Sequence, residues 1–155
     1  MNKETKFLDY NILIRENLLN VVKQALNKAS DYGLSDGHHF YITFLTKFKG
    51  NNLPVYLNKE YPDNMMIVIE NEYWNLKVLE NHFLVDLKFK GKIETLKIMF
   101  NSLLSFVDPS VSFNLNLDVI GQEKSKINKT KKIQQNQKAK LENKSNIIYF
   151  KPNKD

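Results

Sequence analysis

The sequence predicts an α+β domain: an N-terminal helix, then a small, strongly bent antiparallel sheet or partly open barrel, then a disordered C-terminal tail. Three observations predict it. One long apolar-patterned segment fills residues 10–31. Short runs rich in aromatic and β-branched residues, separated by turn signals, fill residues 39–119, and such runs fit a pleated, half-buried surface. From Gly121 to about Lys144 the composition shifts to Lys, Asn and Gln and the aromatics vanish, as in chains that cannot bury enough apolar surface to fold. The chain therefore divides into a domain at residues 1–120, a flexible linker at 121–144 and a terminal peptide at 145–155. With 155 residues in all, there is room for one domain with a real core and not for two.

Asp9 can cap the helix and Gly33 can end it. The apolar residues of this segment spread over roughly 200° of a helical wheel, about twice the stripe a surface helix needs. One arc packs on the sheet. The surplus, including Tyr10, Ile14, Leu18, Val21 and Ala25, needs a second cover. A two-fold partner helix supplies it, or the helix is sunk deeper in its own domain. Residues 34–37 read as a turn. The run Phe40-Tyr41-Ile42-Thr43-Phe44-Leu45 is the central strand. Phe40, Ile42 and Phe44 lie on one face, Tyr41, Thr43 and Leu45 on the other, and neither face is fully polar, so one face lies against a second layer or lines a groove. Residues 47–52 form a loop, and Pro54 and Pro62 make residues 53–63 irregular or a short helical turn. Residues 65–69 are a continuous apolar run, read as a buried strand. Residues 73–79, with the single tryptophan Trp74, form another. In residues 83–90, Phe83, Val85, Leu87 and Phe89 alternate with Leu84, Asp86, Lys88 and Lys90, the clearest period-two pattern in the chain, and Gly91-Lys92 turns it. Residues 93–100 form a further strand. Residues 101–106 read as one helical turn ending before Asp108-Pro109, and Phe113, Leu115 and Leu117 mark a closing strand.

The net charge of +6 belongs to the tail. Residues 121–155 carry ten lysines against three acids, whereas residues 1–120 carry thirteen Lys and Arg against fourteen acids. A near-neutral body weakens the argument for a nucleic-acid face on it. The chain has no cysteine, which excludes a disulfide scaffold and thiolate chemistry and suits a reducing cytoplasm. No apolar run approaches the ~20 residues of a membrane span, and no signal peptide is visible. His38-His39 point opposite ways in an extended chain and cannot chelate one metal as a helical i,i+4 pair does. No HExxH, Gly-x-Ser-x-Gly or Gly-rich phosphate loop occurs. The sequence thus predicts no enzyme, no cofactor and no bound metal.

Two binding readings remain. Aromatic strands flanked by Lys47, Lys49, Lys88, Lys90 and Lys92 could stack the bases of a single-stranded nucleic acid, with the lysine-rich tail on its phosphates. Alternatively, a groove beside an alternating strand takes an extended peptide. The tail then tethers the module to a second partner through the apolar stretch Ile147-Ile148-Tyr149-Phe150. An extra edge strand on the same domain is the other reading of that stretch. The peptide reading accounts together for the neutral body, the missing catalytic set, the linker and the terminal apolar stretch.

The body also resembles the SspB family, the bacterial adaptors of the ClpXP protease, in its alphaproteobacterial branch. The matching stretches are Asp9-Tyr10, Gly37-His38-His39-Phe40-Tyr41-Ile42-Thr43-Phe44, Leu53-Pro54, Tyr61-Pro62, Met66-Ile67-Val68-Ile69, Tyr73-Trp74-Asn75-Leu76-Lys77-Val78 and Phe106-Val107-Asp108-Pro109-Ser110-Val111-Ser112-Phe113. They cover residues 8–118. The resemblance implies a helix that makes a homodimer, an Sm-like β-barrel, and a groove for the ssrA tag left on stalled translation products. It places the tag on Leu45, Thr46, Val85, Leu87 and Phe89. It also implies a terminal peptide that docks on the zinc-binding N-terminal domain of ClpX, the zinc belonging to that partner. Here Asn146, Ile147, Ile148, Tyr149, Phe150 and Lys151 occupy that place, and Tyr149-Phe150 and Pro152 depart from the family's usual tail.

Overall fold

In the computed structural model, residues 8–35 and 37–118 are described. The expected linker at 121–144 and terminal peptide at 145–155 lie outside them. The order is helix α1 (Tyr10–Tyr32), β1 (Phe40–Leu45), a short helix α2 (Val55–Glu60), β2 (Asn64–Ile69), β3 (Tyr73–Val78), β4 (His82–Phe89), β5 (Lys92–Met99), a 3-10 turn (Phe100–Ser102), β6 (Leu103–Asp108), a second 3-10 turn (Pro109–Val111) and β7 (Phe113–Asn116).

Helix α1 starts where expected because the Asp9 carboxylate accepts from the backbone N–H groups of Asn11 and Ile12 at 3.0 and 3.3 Å, satisfying donors that have no partner inside the helix. It ends at Gly33, whose φ of 73° suits a residue without Cβ. Leu19, Val22, Leu26 and Ala29 form its buried face.

The strands form two antiparallel sheets, ordered β2-β1-β6-β7 and β3-β4-β5, and these do not close into a barrel. The α+β class is as the sequence predicts, and the sheet is an open pair of layers. Phe40, Ile42 and Phe44 face inward with Met65, Ile67 and Ile69 from β2. Phe83, Val85, Leu87, Leu96 and Ile98 supply the other layer of the same core. The loop after β1 joins the layers: Asn51 donates to Leu45 O at 2.8 Å and accepts from Met99 N at 2.7 Å.

Two expectations are corrected. Residues 103–106 are not helical: β6 runs through them and pairs with β1 and β7. The helical turn is confined to Phe100–Ser102. Leu103 and Phe106 face the core three residues apart because a register shift interrupts the β1–β6 ladder between Thr43 and Phe44, and that spacing imitates a helix in the sequence. The second correction concerns residues 65–69, which are not buried on both sides. The pattern alternates, leaving Met66 and Val68 exposed at 55% and 37%, because the core lies against one face of this sheet, and the inner strand β1 alternates likewise. No helix among the described residues is long and apolar enough to cross a membrane.

Candidate peptide-binding cleft

A cleft of about 520 Å³ runs between β2 and the end of β4. Its first wall is residues 66–68 of β2, continuing into Glu70, Asn71 and Glu72 of the β2–β3 connection; its second is Leu87, Lys88 and Phe89 of β4. The geometry follows from how the ladders end. On one side β2 pairs with β1 along its whole length, while its other edge meets no strand among the described residues. The β3–β4 ladder stops at Tyr73 opposite Leu87, so β4 runs two residues past its neighbour on that side. Two backbone edges are thereby left beside a cleft lined by both apolar and charged side chains. An unpaired edge with alternating side chains beside it is a template for an added strand.

One pleat face of β4 changes character along its length. Val85 is completely buried, Leu87 is 5% exposed and Phe89 is half-buried at the cleft wall. The strand leaves the core as β3 falls away beside it. Glu70 and Glu72 form an acidic end to the cleft, and neither has an ion-pair partner among the described residues.

Of the residues expected to hold a tag, Leu87 and Phe89 line this cleft. Val85 lies in the core with no exposed surface. Leu45 is 37% exposed at the end of β1, and Thr46 beside it is buried, its hydroxyl without a hydrogen-bond partner among the described residues. Neither belongs to the cleft wall. Met66, Val68, Glu70 and Glu72 were not anticipated. The outward alternation of β2 was the available signal, hidden because all five residues of the run are apolar. On α1, Tyr10, Ile14 and Val21 are exposed at 66%, 48% and 43%, and Leu18 and Ala25 pack partly against the core. The helix thus carries an apolar stripe beside its buried face.

His38 and His39 make local structural contacts. His38 Nδ1 lies 2.7 Å from Asp108 Oδ2 and 3.2 Å from Ser110 Oγ. Acid and hydroxyl meet the same ring nitrogen, so the group lacks the acid–base–nucleophile relay of a hydrolase, which uses both nitrogens. It ties the start of β1 to the end of β6. Burial pushes the Asp108 carboxyl pKa up, but hydrogen bonds from His38 and Ser110 and the charge of His38 outweigh burial and hold it below the usual carboxylate value. His39 Nδ1 meets Gly37 O at 2.9 Å. No group of three or more metal-ligating side chains occurs among the described residues.

A cleft between unpaired strand edges, with apolar Met66, Val68, Leu87 and Phe89 beside charged Glu70, Glu72 and Lys88, has the form of a site for an extended ligand. The family model described as stringent starvation protein B matches residues 12–153, and the chain belongs to that family. The SspB family is one of adaptors rather than enzymes. No curated protein matches the chain.

Proposed function

We propose that this adaptor captures ssrA-tagged proteins in the β2–β4 cleft and delivers them to the ClpXP protease. The free edge of β2, facing Phe89 with Met66 and Val68 exposed beside it, carries the reading. An extended tag pairs its backbone with that edge and sets alternate side chains against the apolar walls. Leu87 and Phe89 form one wall. Asn146, Ile147, Ile148, Tyr149, Phe150 and Lys151 dock on the N-terminal domain of ClpX, and residues 121–144 are the tether. A flexible linker of that length spans roughly 25–30 Å root-mean-square, which holds the captured tag near the unfoldase at an effective concentration of the order of mM. The stripe of Tyr10, Ile14, Leu18, Val21 and Ala25 pairs with its copy in a homodimer. Two tails then engage one unfoldase, raising avidity without new contacts. No chemistry is performed.

The test is the binding of a fluorescent ssrA-tag peptide, beside a scrambled peptide and an oligonucleotide of similar length, at two salt concentrations. Micromolar or tighter binding of the tag alone, nearly independent of salt, is expected. Binding of the oligonucleotide alone, lost at high salt as phosphate contacts require, would refute tag capture.

A further inference from the structure

The cleft has a second ligand within reach, on the chain itself. We propose that the segment Ile147-Ile148-Tyr149-Phe150, flanked by Lys144, Lys151 and Lys154, occupies the β2–β4 cleft of its own domain when no unfoldase is present, and so masks it. This rests on the reading of the cleft as a peptide site.

Reach is the first argument. Met66, Thr43, Ser105 and Asn116 lie on one cross-strand row of the four-stranded sheet. Strands are spaced about 4.8 Å apart, so the chain leaves β7 about 14 Å from Met66 on the cleft wall. The departure point is held: Leu117 N donates to Leu104 O at 2.8 Å, and Arg15 Nη1 donates to Leu117 O at 2.6 Å. The 28 residues from 119 to 146 have a root-mean-square span of roughly 26–32 Å. The segment therefore reaches the cleft without stretching, at an effective concentration of the order of mM.

Chemistry is the second. The wall presents apolar Met66, Val68 and Phe89, ending at Glu70 and Glu72, with Lys88 its one basic group. The segment presents four consecutive apolar residues between lysines. Laid along the free edge of β2, alternate side chains meet the apolar wall, and a flanking lysine meets the acidic end. The same residues are proposed to dock on the unfoldase, so the two engagements exclude each other. By linkage, unfoldase binding then strengthens tag capture, and a captured tag frees the tail for the unfoldase.

Masking lowers the apparent tag affinity by the ratio of effective concentration to the segment's own dissociation constant. For a segment whose own dissociation constant is roughly 0.1–0.5 mM this is about threefold to tenfold. The experiment compares tag binding by the full chain and by full-length Ile148→Asp/Phe150→Asp. The variant is expected to bind about threefold to tenfold tighter, with the difference shrinking at high salt. A synthetic peptide of residues 144–155 is expected to displace the tag from the variant. Equal affinities of the two proteins at low salt overturn the proposal, whatever the synthetic peptide does. If neither protein binds the tag, yet the synthetic peptide binds the variant and loses that binding on adding Phe89→Ala, the masking stands and ssrA capture falls.

Discussion

Phe89→Ala and Val85→Ala form a paired test of where the cleft lies, because the two residues share one pleat face of β4 four positions apart. Phe89 stands half-buried on the cleft wall, and Val85 is fully buried. Full burial of a Phe side chain stabilises by roughly 1.5–3 kcal/mol. The domain already covers part of Phe89, so a bound peptide gains only the remainder. The loss on truncation is about 1–2 kcal/mol of binding, a factor of about 5–30 in Kd. The fold loses less than the 3–5 kcal/mol typical of a buried Phe. Val85→Ala does the opposite. It removes two buried methyl-sized groups and leaves a void, costing about 2–3 kcal/mol of stability, with Kd changed less than about twofold as expected for a residue that never meets the ligand. Fluorescence anisotropy with a tag peptide gives the affinities and urea unfolding the stabilities. The reasoning is refuted if Val85→Ala weakens binding of the folded protein more than Phe89→Ala does, because core and wall would then be exchanged.

Thr46→Val keeps the side-chain shape and removes a buried hydroxyl without a partner. It should stabilise the fold by about 1–2 kcal/mol in thermal unfolding and leave tag affinity unchanged; weaker tag binding would place Thr46 in the site. Ile14→Glu puts a carboxylate into the exposed stripe of α1. If the stripe pairs in a homodimer, half of an Ile is lost in each of two copies, so sedimentation should show dimer association weakened by about 30-fold or more; an unchanged association state at all concentrations would count against the stripe. Asp108→Asn removes a buried carboxylate held by His38 and Ser110, costing about 1.5–3 kcal/mol near neutral pH. Because the folded-state pKa of Asp108 lies below its ordinary value, its contribution is present above about pH 4 and is lost as pH falls through the folded value. The stability gap between wild type and variant should therefore close in acid; a gap that widened there would overturn the assignment.

What the sequence by itself determined is what local rules can carry. Asp9 and Gly33 bound the helix through capping and a positive φ, and the period-two run from Phe83 to Phe89 made a strand. The Asp-Pro-Ser and His-His-Phe-Tyr stretches pointed to the family that residues 12–153 match. Tertiary structure decided what depends on which strands are neighbours. Val85, Leu87 and Phe89 are indistinguishable by periodicity, and only the end of the β3–β4 ladder at Tyr73 turns the same face from core into cleft wall. Met66 and Val68 look like core in a run of five apolar residues, and become surface because the core lies against only one face of their sheet. Residues 103–106 read as helix until a register shift against β1 explains their spacing. Strand order and the ends of ladders are set by long-range pairing, which no window of local sequence contains.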